Sequence, residues 1–132
     1  MPEDKKTKIL IVEDEEIISK TYAEELRDQG FTVLTAMNGS AGLEIARREK
    51  PDIILLDILM PIMDGLTMMG KLREDNLYGK NVPIILLTNL SASEEKIMKA
   101  ITKDDPAYYL VKSDWSLSGV VEKIKERLAR KV

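Results

Sequence analysis

Five short apolar segments alternate along the chain with longer segments in which apolar residues recur every three or four positions. The apolar segments have the length of strands. They are residues 9–12, 32–35, 53–56, 82–87 and 108–111. Between them the spacing is helical, as Ile18, Tyr22 and Leu26 show after the first strand. Because short apolar strands alternating with amphipathic helices are typical of a parallel sheet covered on both faces, the pattern predicts an α/β fold of five βα units.

Boundary signals support this division into elements. Gly30 follows the first helical stretch and is a stop signal. Residues 91–94, Ser-Ala-Ser-Glu, have the spacing of a capping box, which predicts that the fourth helix begins there. The last helical pattern ends at residue 128 of 132. We therefore expect a charged tail at 1–7 and one domain at 8–132, with no room for an attached effector domain.

Composition limits the chemistry that is available. The chain has neither cysteine nor histidine, which excludes disulfides, thiolate zinc sites and Ser-His hydrolase chemistry. A net charge of -3 gives no basic field for phosphate backbones, so we expect no direct contact with nucleic acid. No apolar stretch behind the charged N-terminus is long enough for a signal peptide or a membrane helix. We therefore expect a cytoplasmic protein without membrane insertion.

Reactive side chains stand at the ends of four of the predicted strands. Glu13 and Asp14 follow the first strand, Asp57 the third, Thr88 the fourth and Lys112 the fifth. In an open parallel sheet the carboxyl ends of the strands meet at one edge, where ligands bind. Three acids brought close together repel one another unless a cation lies among them. The pattern therefore predicts a divalent metal site, for which Mg²⁺ suits the hard oxygen ligands and Mn²⁺ also fits.

An aspartate beside such a metal can act as a nucleophile and form an acyl phosphate, and Asp57 is the candidate. Lys112 would neutralise one phosphate oxygen, and the Thr88 hydroxyl would hydrogen-bond another. Each residue alone has another explanation. The acids at 13–16 suit a helix N-terminus, and aspartate, threonine and lysine are ordinary residues at strand ends. The joint appearance of all of them favours the functional interpretation.

These residues stand in motifs that resemble the receiver domain of response regulators, over residues 7–130. The matching segments are Glu13-Asp14, Leu-Leu-Asp-Ile-Leu-Met-Pro at 55–61 with Met-Asp-Gly at 63–65, Thr88 after Ile-Ile-Leu-Leu, and Lys112 after Tyr-Leu-Val. The resemblance implies a flavodoxin-like, doubly wound (βα)5 sandwich with strand order 2-1-3-4-5. It also implies a stand-alone, chemotaxis-regulator-like protein of a two-component system.

The resemblance implies a role for each residue near Asp57, the phosphoacceptor. Asp14 and Asp57 would bind Mg²⁺ directly, the backbone carbonyl of Leu59 would be a third ligand, and Glu13 would act through water. A histidine kinase or a histidine phosphotransfer protein would donate the phosphoryl group and so supply the histidine that this chain lacks. The domain would catalyse only its own phosphorylation and dephosphorylation and would not be an enzyme acting on other substrates.

The resemblance also implies an output switch. Phosphorylation would draw Thr88 inward and turn Tyr109, the switch aromatic, which would change the surface formed by the fourth predicted helix, the fifth strand and the fifth predicted helix. A downstream effector protein would bind this surface. For Tyr109 the alternative is a partly buried tyrosine without a switch role. Ile17 lies in the region that meets the donor helix in relatives, and its alternative is an exposed isoleucine without a role.

Two departures from the family pattern fall beside this surface. Residues 104–107, Asp-Asp-Pro-Ala, replace the usual Gly-Ala before the fifth strand. Lys112 is followed by Ser113 where the family has a proline in a cis bond. Because a cis bond before any other residue costs about 2.5–4 kcal/mol, we expect a trans Lys112–Ser113 bond with a rearranged loop at 113–116.

Leu59 argues against an aspartate-nucleophile phosphatase, which would need a second aspartate there as general acid. A nucleotide hydrolase would need a glycine-lysine phosphate loop, which the sequence lacks. A phosphorylation-independent scaffold would have lost Asp57, Thr88 or Lys112, and all three are present.

Leu90, two positions beyond Thr88, is apolar like Leu59. Neither leucine can orient a water for hydrolysis, so we expect slow autodephosphorylation.

Overall fold

The structure, a computed structural model, describes residues 6–89 and 95–130. Its strands are β1 (Lys8–Val12), β2 (Thr32–Ala36), β3 (Ile53–Leu56), β4 (Ile84–Thr88) and β5 (Tyr108–Val111). Its helices are α1 (Glu16–Asp28), α2 (Gly39–Glu49), α3 (Gly65–Arg73), α4 (Leu77–Asn81), α5 (Glu95–Asp104) and α6 (Leu117–Ala129), with a 3-10 turn at Lys112–Asp114. The predicted capping box at 91–94, Leu90 and residues 1–5 of the predicted tail lie outside the described residues.

The five strands form one parallel sheet in the order β2-β1-β3-β4-β5, which confirms the predicted fold class and strand order. Val12 at the end of β1 is in register with Leu56 at the end of β3. The next residues therefore meet at one edge, and the Asp57 N–H donates to the Val12 carbonyl at 3.0 Å. This pairing brings the acids after β1 beside the aspartate after β3.

Each face of the sheet buries its own hydrophobic cluster. On β1, Leu10 and Val12 face the cluster that contains buried residues of α2, α3 and α5, whereas Ile9 and Ile11 face the cluster that contains those of α1 and α6. Successive strand residues point to opposite faces, so a strand covered on both sides must be apolar throughout. Each fully buried aliphatic side chain contributes about 1.5–3 kcal/mol. Burial on both faces therefore stabilises the sheet and fixes the positions of the residues that follow its strands.

The short helix α4 and the start of β4 differ from the prediction. The Asn76 side chain caps α4 by accepting a hydrogen bond from the Gly79 N–H at 2.9 Å. Five residues give too short a helical pattern to recognise in the sequence. The fourth strand begins at Ile84 rather than Val82, and Pro83 before it has no N–H to donate to a sheet. Across residues 6–89 and 95–130, none of the helices has the length and apolar character needed to cross a membrane.

The bond between Lys112 and Ser113 is trans, as expected, because the described residues contain no cis peptide bond. The chain leaves β5 through the 3-10 turn at Lys112–Asp114, in which the Trp115 N–H donates to the Lys112 carbonyl. Ser116 then caps α6 by accepting from the Gly119 N–H at 3.0 Å. The loop therefore returns to a helix without the proline that the family pattern has there.

Ile62 has a backbone conformation that β-branched residues rarely adopt, with φ at 71° and a side chain that is 82% exposed. Because glycine adopts this conformation without strain, Ile62→Gly is expected to raise the free energy of unfolding by about 1 kcal/mol. Urea denaturation measures the change. Ile62→Ala is the matched control, since it removes the exposed side chain but keeps Cβ. A glycine variant less stable than the alanine variant would contradict the strain.

Candidate functional site

The predicted site residues meet at the carboxyl edge of the sheet. Glu13, Asp14 and Asp57 each place a carboxylate oxygen within 4.8 Å of the others. The Lys112 ammonium lies 2.9 Å from Glu13 Oε1 and 3.4 Å from Asp57 Oδ2. The Thr88 side chain also hydrogen-bonds Asp57 and lowers the pKa of that carboxyl. Residues from four strand ends are thus within reach of one small ligand.

Main-chain groups fix the directions of two carboxylates. The Ile58 N–H donates to Asp57 Oδ1 at 2.8 Å, and the Glu15 N–H donates to Glu13 Oε2 at 3.0 Å. In both side chains the other oxygen faces Lys112. Gly65 allows the loop after Asp57 to fold back, because a Cβ at position 65 would overlap the Asp57 backbone carbonyl. The phosphoacceptor candidate is therefore held by its own loop.

Burial and charge oppose each other in this cluster. Glu13 is 4% exposed and Asp57 is 7% exposed, so burial raises the pKa of both carboxyl groups, while Lys112 lowers both. Burial alone would lower the pKa of Lys112, but its hydrogen bond to Glu13 and the charge of Asp57 raise it overall. The ammonium of Lys112 therefore stays charged and offsets part of the repulsion among the acids.

A cleft of about 180 Å³ opens above the cluster. Asp14, Asp57, Leu59, Thr88 and Lys112 line it together with Glu15 and Asn89. The last two were not predicted as site residues. Glu15 approaches Lys112 at 3.9 Å. Asn89 directly follows a strand end, and the strand-end rule that selected the other residues applies to it equally.

The remaining predicted residues lie around the cleft. Leu59 is 58% exposed at its rim, and Ile17 is exposed at the start of α1. Tyr109 is half-buried on β5 and packs against the cluster beneath α3 and α5. These positions are compatible with the roles expected of them.

The donor set fits a divalent cation. Carboxylate oxygens are the hard ligands that Mg²⁺ prefers, and this ion commonly uses one or two carboxylates together with waters and phosphate. The half-buried Asp14 carboxylate opens onto the cleft beside Asp57. A cation placed there would lie against three negative charges, of which Lys112 compensates one. The residues present therefore fit the predicted metal site.

A comparison with protein families decides the assignment. The family model described as Response regulator receiver domain matches residues 9–125. The chain belongs to this family. Receiver domains are signalling phosphoacceptor domains of two-component systems rather than classical enzymes. They are phosphorylated on an aspartate, bind Mg²⁺ at an acidic pocket, and interact with histidine kinases and downstream effectors.

Curated relatives of this receiver domain are longer proteins. The probable transcriptional regulatory protein TcrX of Mycobacterium tuberculosis is 34% identical over 122 residues, which are 92% of this chain and 50% of that protein. The transcriptional regulatory protein PhoP of Bacillus subtilis, named for alkaline phosphatase synthesis, is 37% identical over 91 residues, 69% of this chain and 37% of that protein. The chain thus spans half or less of the length of these relatives. Their names give no support to the expectation that nucleic acid is not a partner.

Solved receiver structures have the same fold. The CheY-like receiver domain protein of Methanospirillum hungatei has a TM-score of 0.84 at 24% identity, with 94% of each chain covered. The BeF3-activated receiver domain of RstA from Klebsiella pneumoniae has a TM-score of 0.80 at 28% identity, with 94% of this chain and 100% of that chain covered. The first likeness concerns the fold alone because of its low identity.

Proposed function

We propose that this receiver domain accepts a phosphoryl group on Asp57, in a reaction that depends on Mg²⁺. The donor is a histidine kinase or a histidine phosphotransfer protein, and the domain acts as a single-domain response regulator spanning 8–132. The main support is that a carboxylate, Asp57, is buried 3.4 Å from Lys112 and within 4.8 Å of two further acids. Burying a carboxylate near two other acids costs free energy that a purely structural aspartate has no reason to bear. The same environment is useful to an aspartate that accepts a phosphoryl group.

The transfer forms one bond and breaks one. A carboxylate oxygen of Asp57 attacks the phosphorus of the donor's phosphohistidine, the O–P bond forms, and the electron pair of the P–N bond leaves with the imidazole nitrogen. Lys112, whose ammonium is 3.4 Å from Asp57, moves onto a phosphoryl oxygen and neutralises it. The Ile58 N–H continues to hold the other carboxylate oxygen.

The metal ligands in this proposal are Asp14 and Asp57 directly, the Leu59 backbone carbonyl, and Glu13 through water. When bound, Mg²⁺ supplies positive charge against the carboxylates and the phosphoryl oxygens. Glu13 already uses one oxygen for Lys112 and the other for the Glu15 N–H. A water-mediated role for Glu13 is compatible with these bonds, since a carboxylate has further lone pairs.

The proposed output is a change of the surface formed by α5, β5 and α6, to which a downstream partner binds. Thr88 is buried beside Asp57, and its hydroxyl would turn onto the new phosphate. Tyr109 on the neighbouring strand would then rotate inward. Leu86 and Tyr109 are in register across β4 and β5, so a shift at the end of β4 has a short path to Tyr109.

Acetyl phosphate tests the proposal without knowledge of the kinase. Wild-type protein in Mg²⁺ is expected to gain the mass of one phosphoryl group, because a small donor needs only the acid cluster and Lys112. EDTA is expected to slow labelling by at least about tenfold, since the metal contributes several kcal/mol of charge stabilisation. Intact-mass measurement over time gives the rate of labelling in Mg²⁺ and in EDTA. Excess Mg²⁺ added after EDTA should restore labelling, and labelling that EDTA leaves unchanged would contradict the metal requirement.

A further inference from the structure

A cleft of about 480 Å³ lies at the edge of the sheet opposite the acid cluster, where β4 and β5 begin. Its walls are the end of α4, the segments that lead into β4 and β5, and the last turn of α6. The volume falls within the range of about 300–1,000 Å³ that small-molecule sites occupy. The proposed phosphoryl transfer makes no use of this cleft, because Asp57 follows the other end of the sheet.

The cleft is cationic although the whole chain carries a net charge of -3. Four basic side chains line it, against one acid. One of the four, Arg73, is half-buried and donates to four backbone carbonyl oxygens. These belong to Gly79, Val82, Asp104 and Asp105. Neutral carbonyls hold the guanidinium in place, while the negative charges of Asp104 and Asp105 act against the effect of burial on its pKa. The guanidinium stays protonated, so a positive charge, partly offset by these two acids, is held in the wall of the cleft.

The other three cations are Lys80, Arg127 and Arg130. The charge of Arg130 also acts on Glu126, but all three side chains are available to a ligand. Within residues 6–89 and 95–130 their side chains make neither a hydrogen bond nor a salt bridge. In contrast, Arg47 on α2 pairs with Asp75 at 2.6 Å. Positive charges near the ends of α4 and α6 stabilise those helix ends, which accounts for their sign. Stabilisation of helix ends does not explain why these three cations converge on one cleft whose wall already holds a fourth cation, Arg73.

We propose that this cleft binds a small organic phosphate, of the class of nucleotides and sugar phosphates. Arg127 and Arg130 present planar guanidinium groups, which bind phosphate oxygens in a bidentate manner. Pro83 and Pro106 offer apolar surface to the organic part. The Asp105 carboxylate would repel a phosphate but can accept a hydrogen bond from a sugar hydroxyl. The charges thus favour a ligand with an anionic end and a hydroxyl-bearing end.

Isothermal titration of the metal-free chain with ADP in EDTA tests this site apart from the phosphoacceptor site. Wild type is expected to bind ADP at millimolar or lower concentration, and Arg127→Gln to weaken binding at least about tenfold, as for loss of a charge-assisted bidentate contact. Lys80→Gln should weaken it less. Lys20→Gln, on an exposed lysine of α1 that has no partner in the described chain, is the matched control. Nitrogen-15 NMR should place the largest amide shifts at Asp105 and Ala107, the two residues of this lining segment that have an N–H.

Four results would overturn this assignment. They are the absence of ADP binding at millimolar concentration, equal affinities of Arg127→Gln and Lys20→Gln for ADP, inorganic phosphate binding as tightly as ADP, and duplex DNA binding more tightly than ADP. The last would assign the cations to a nucleic-acid backbone. Because the titration is done in EDTA and without a phosphoryl donor, its failure leaves the proposed role of Asp57 untouched. Equal melting temperatures of the variants verify that they fold.

Discussion

Asp57→Asn is expected to reduce labelling by acetyl phosphate in Mg²⁺ by at least about a thousandfold, the scale on which loss of a nucleophile acts. The amide keeps the shape of the side chain but cannot attack phosphorus. It also removes a negative charge that is 7% exposed beside two other acids, so the variant should fold at least as stably as wild type. A loss of labelling in a folded variant therefore reports on chemistry. Intact-mass spectrometry over time measures it.

Two further substitutions complete that experiment. Asp28→Asn, at the exposed end of α1, changes the net charge equally and should label at the wild-type rate. Asp14→Ala keeps the nucleophile but weakens the metal site, so added Mg²⁺ should restore part of its labelling. A phosphoryl group that persists on Asp57→Asn at the wild-type rate would show that another residue is the acceptor.

The location of the site at one edge of the sheet could be predicted, because the carboxyl ends of all strands in a parallel sheet lie at the same edge. Residues after apolar strands converge, so Glu13, Asp57 and Lys112 could be grouped from positions far apart in the sequence. The periodicity of apolar residues does not reveal which strands are neighbours in the sheet. The predicted strand order came from the resemblance to receiver domains. The order matters, since it places β1 directly beside β3 and hence the acid pair beside Asp57.

Which carboxylate pairs with Lys112 could not be predicted. Glu13 and Asp14 are adjacent and equally charged, but Glu13 is 4% exposed and takes the 2.9 Å contact, whereas Asp14 is half-buried and opens onto the cleft. Successive side chains of a strand point to opposite faces of the sheet. Which of the two acids points toward Lys112 therefore depends on the residue at which the strand ends. Sequence patterns locate such ends only to within a few residues.

The unusual segment before β5 has a structural reason that its sequence does not reveal. Asp104 ends α5 and is buried, and its carbonyl accepts a hydrogen bond from Arg73 Nε at 2.8 Å. Arg73 belongs to α3, thirty-one residues earlier. The departure from the family pattern therefore coincides with a link between α3 and the helix of the proposed output surface. A pairing at that separation depends on the packing of two helices and has no local signature.

The lifetime of the phosphorylated state is expected to depend on Leu59. Hydrolysis of an acyl phosphate needs a water in line with phosphorus, and an amide or carboxylate close by can orient that water. Leu59 lines the cleft above Asp57 and offers no such group. Leu90, the second residue expected to shield the phosphate, lies outside the described residues, so the structural support concerns Leu59 alone. Because Leu59 is 58% exposed, its bulk shields the cleft only in part.

Leu59→Asn is therefore expected to speed phosphate loss by about tenfold, the lower part of the range for a positioned polar group. The rate is followed by intact mass after the donor is removed by gel filtration in Mg²⁺. Leu59→Ala separates the two causes, since it removes bulk without adding an amide and should accelerate the loss less than Leu59→Asn. Leu77→Asn on α4 is the matched control, because Leu77 is also exposed, at 78%, but lies away from the cleft. Equal rates in Leu59→Asn and wild type would mean that the side chain lies flat on the surface and does not govern access of water.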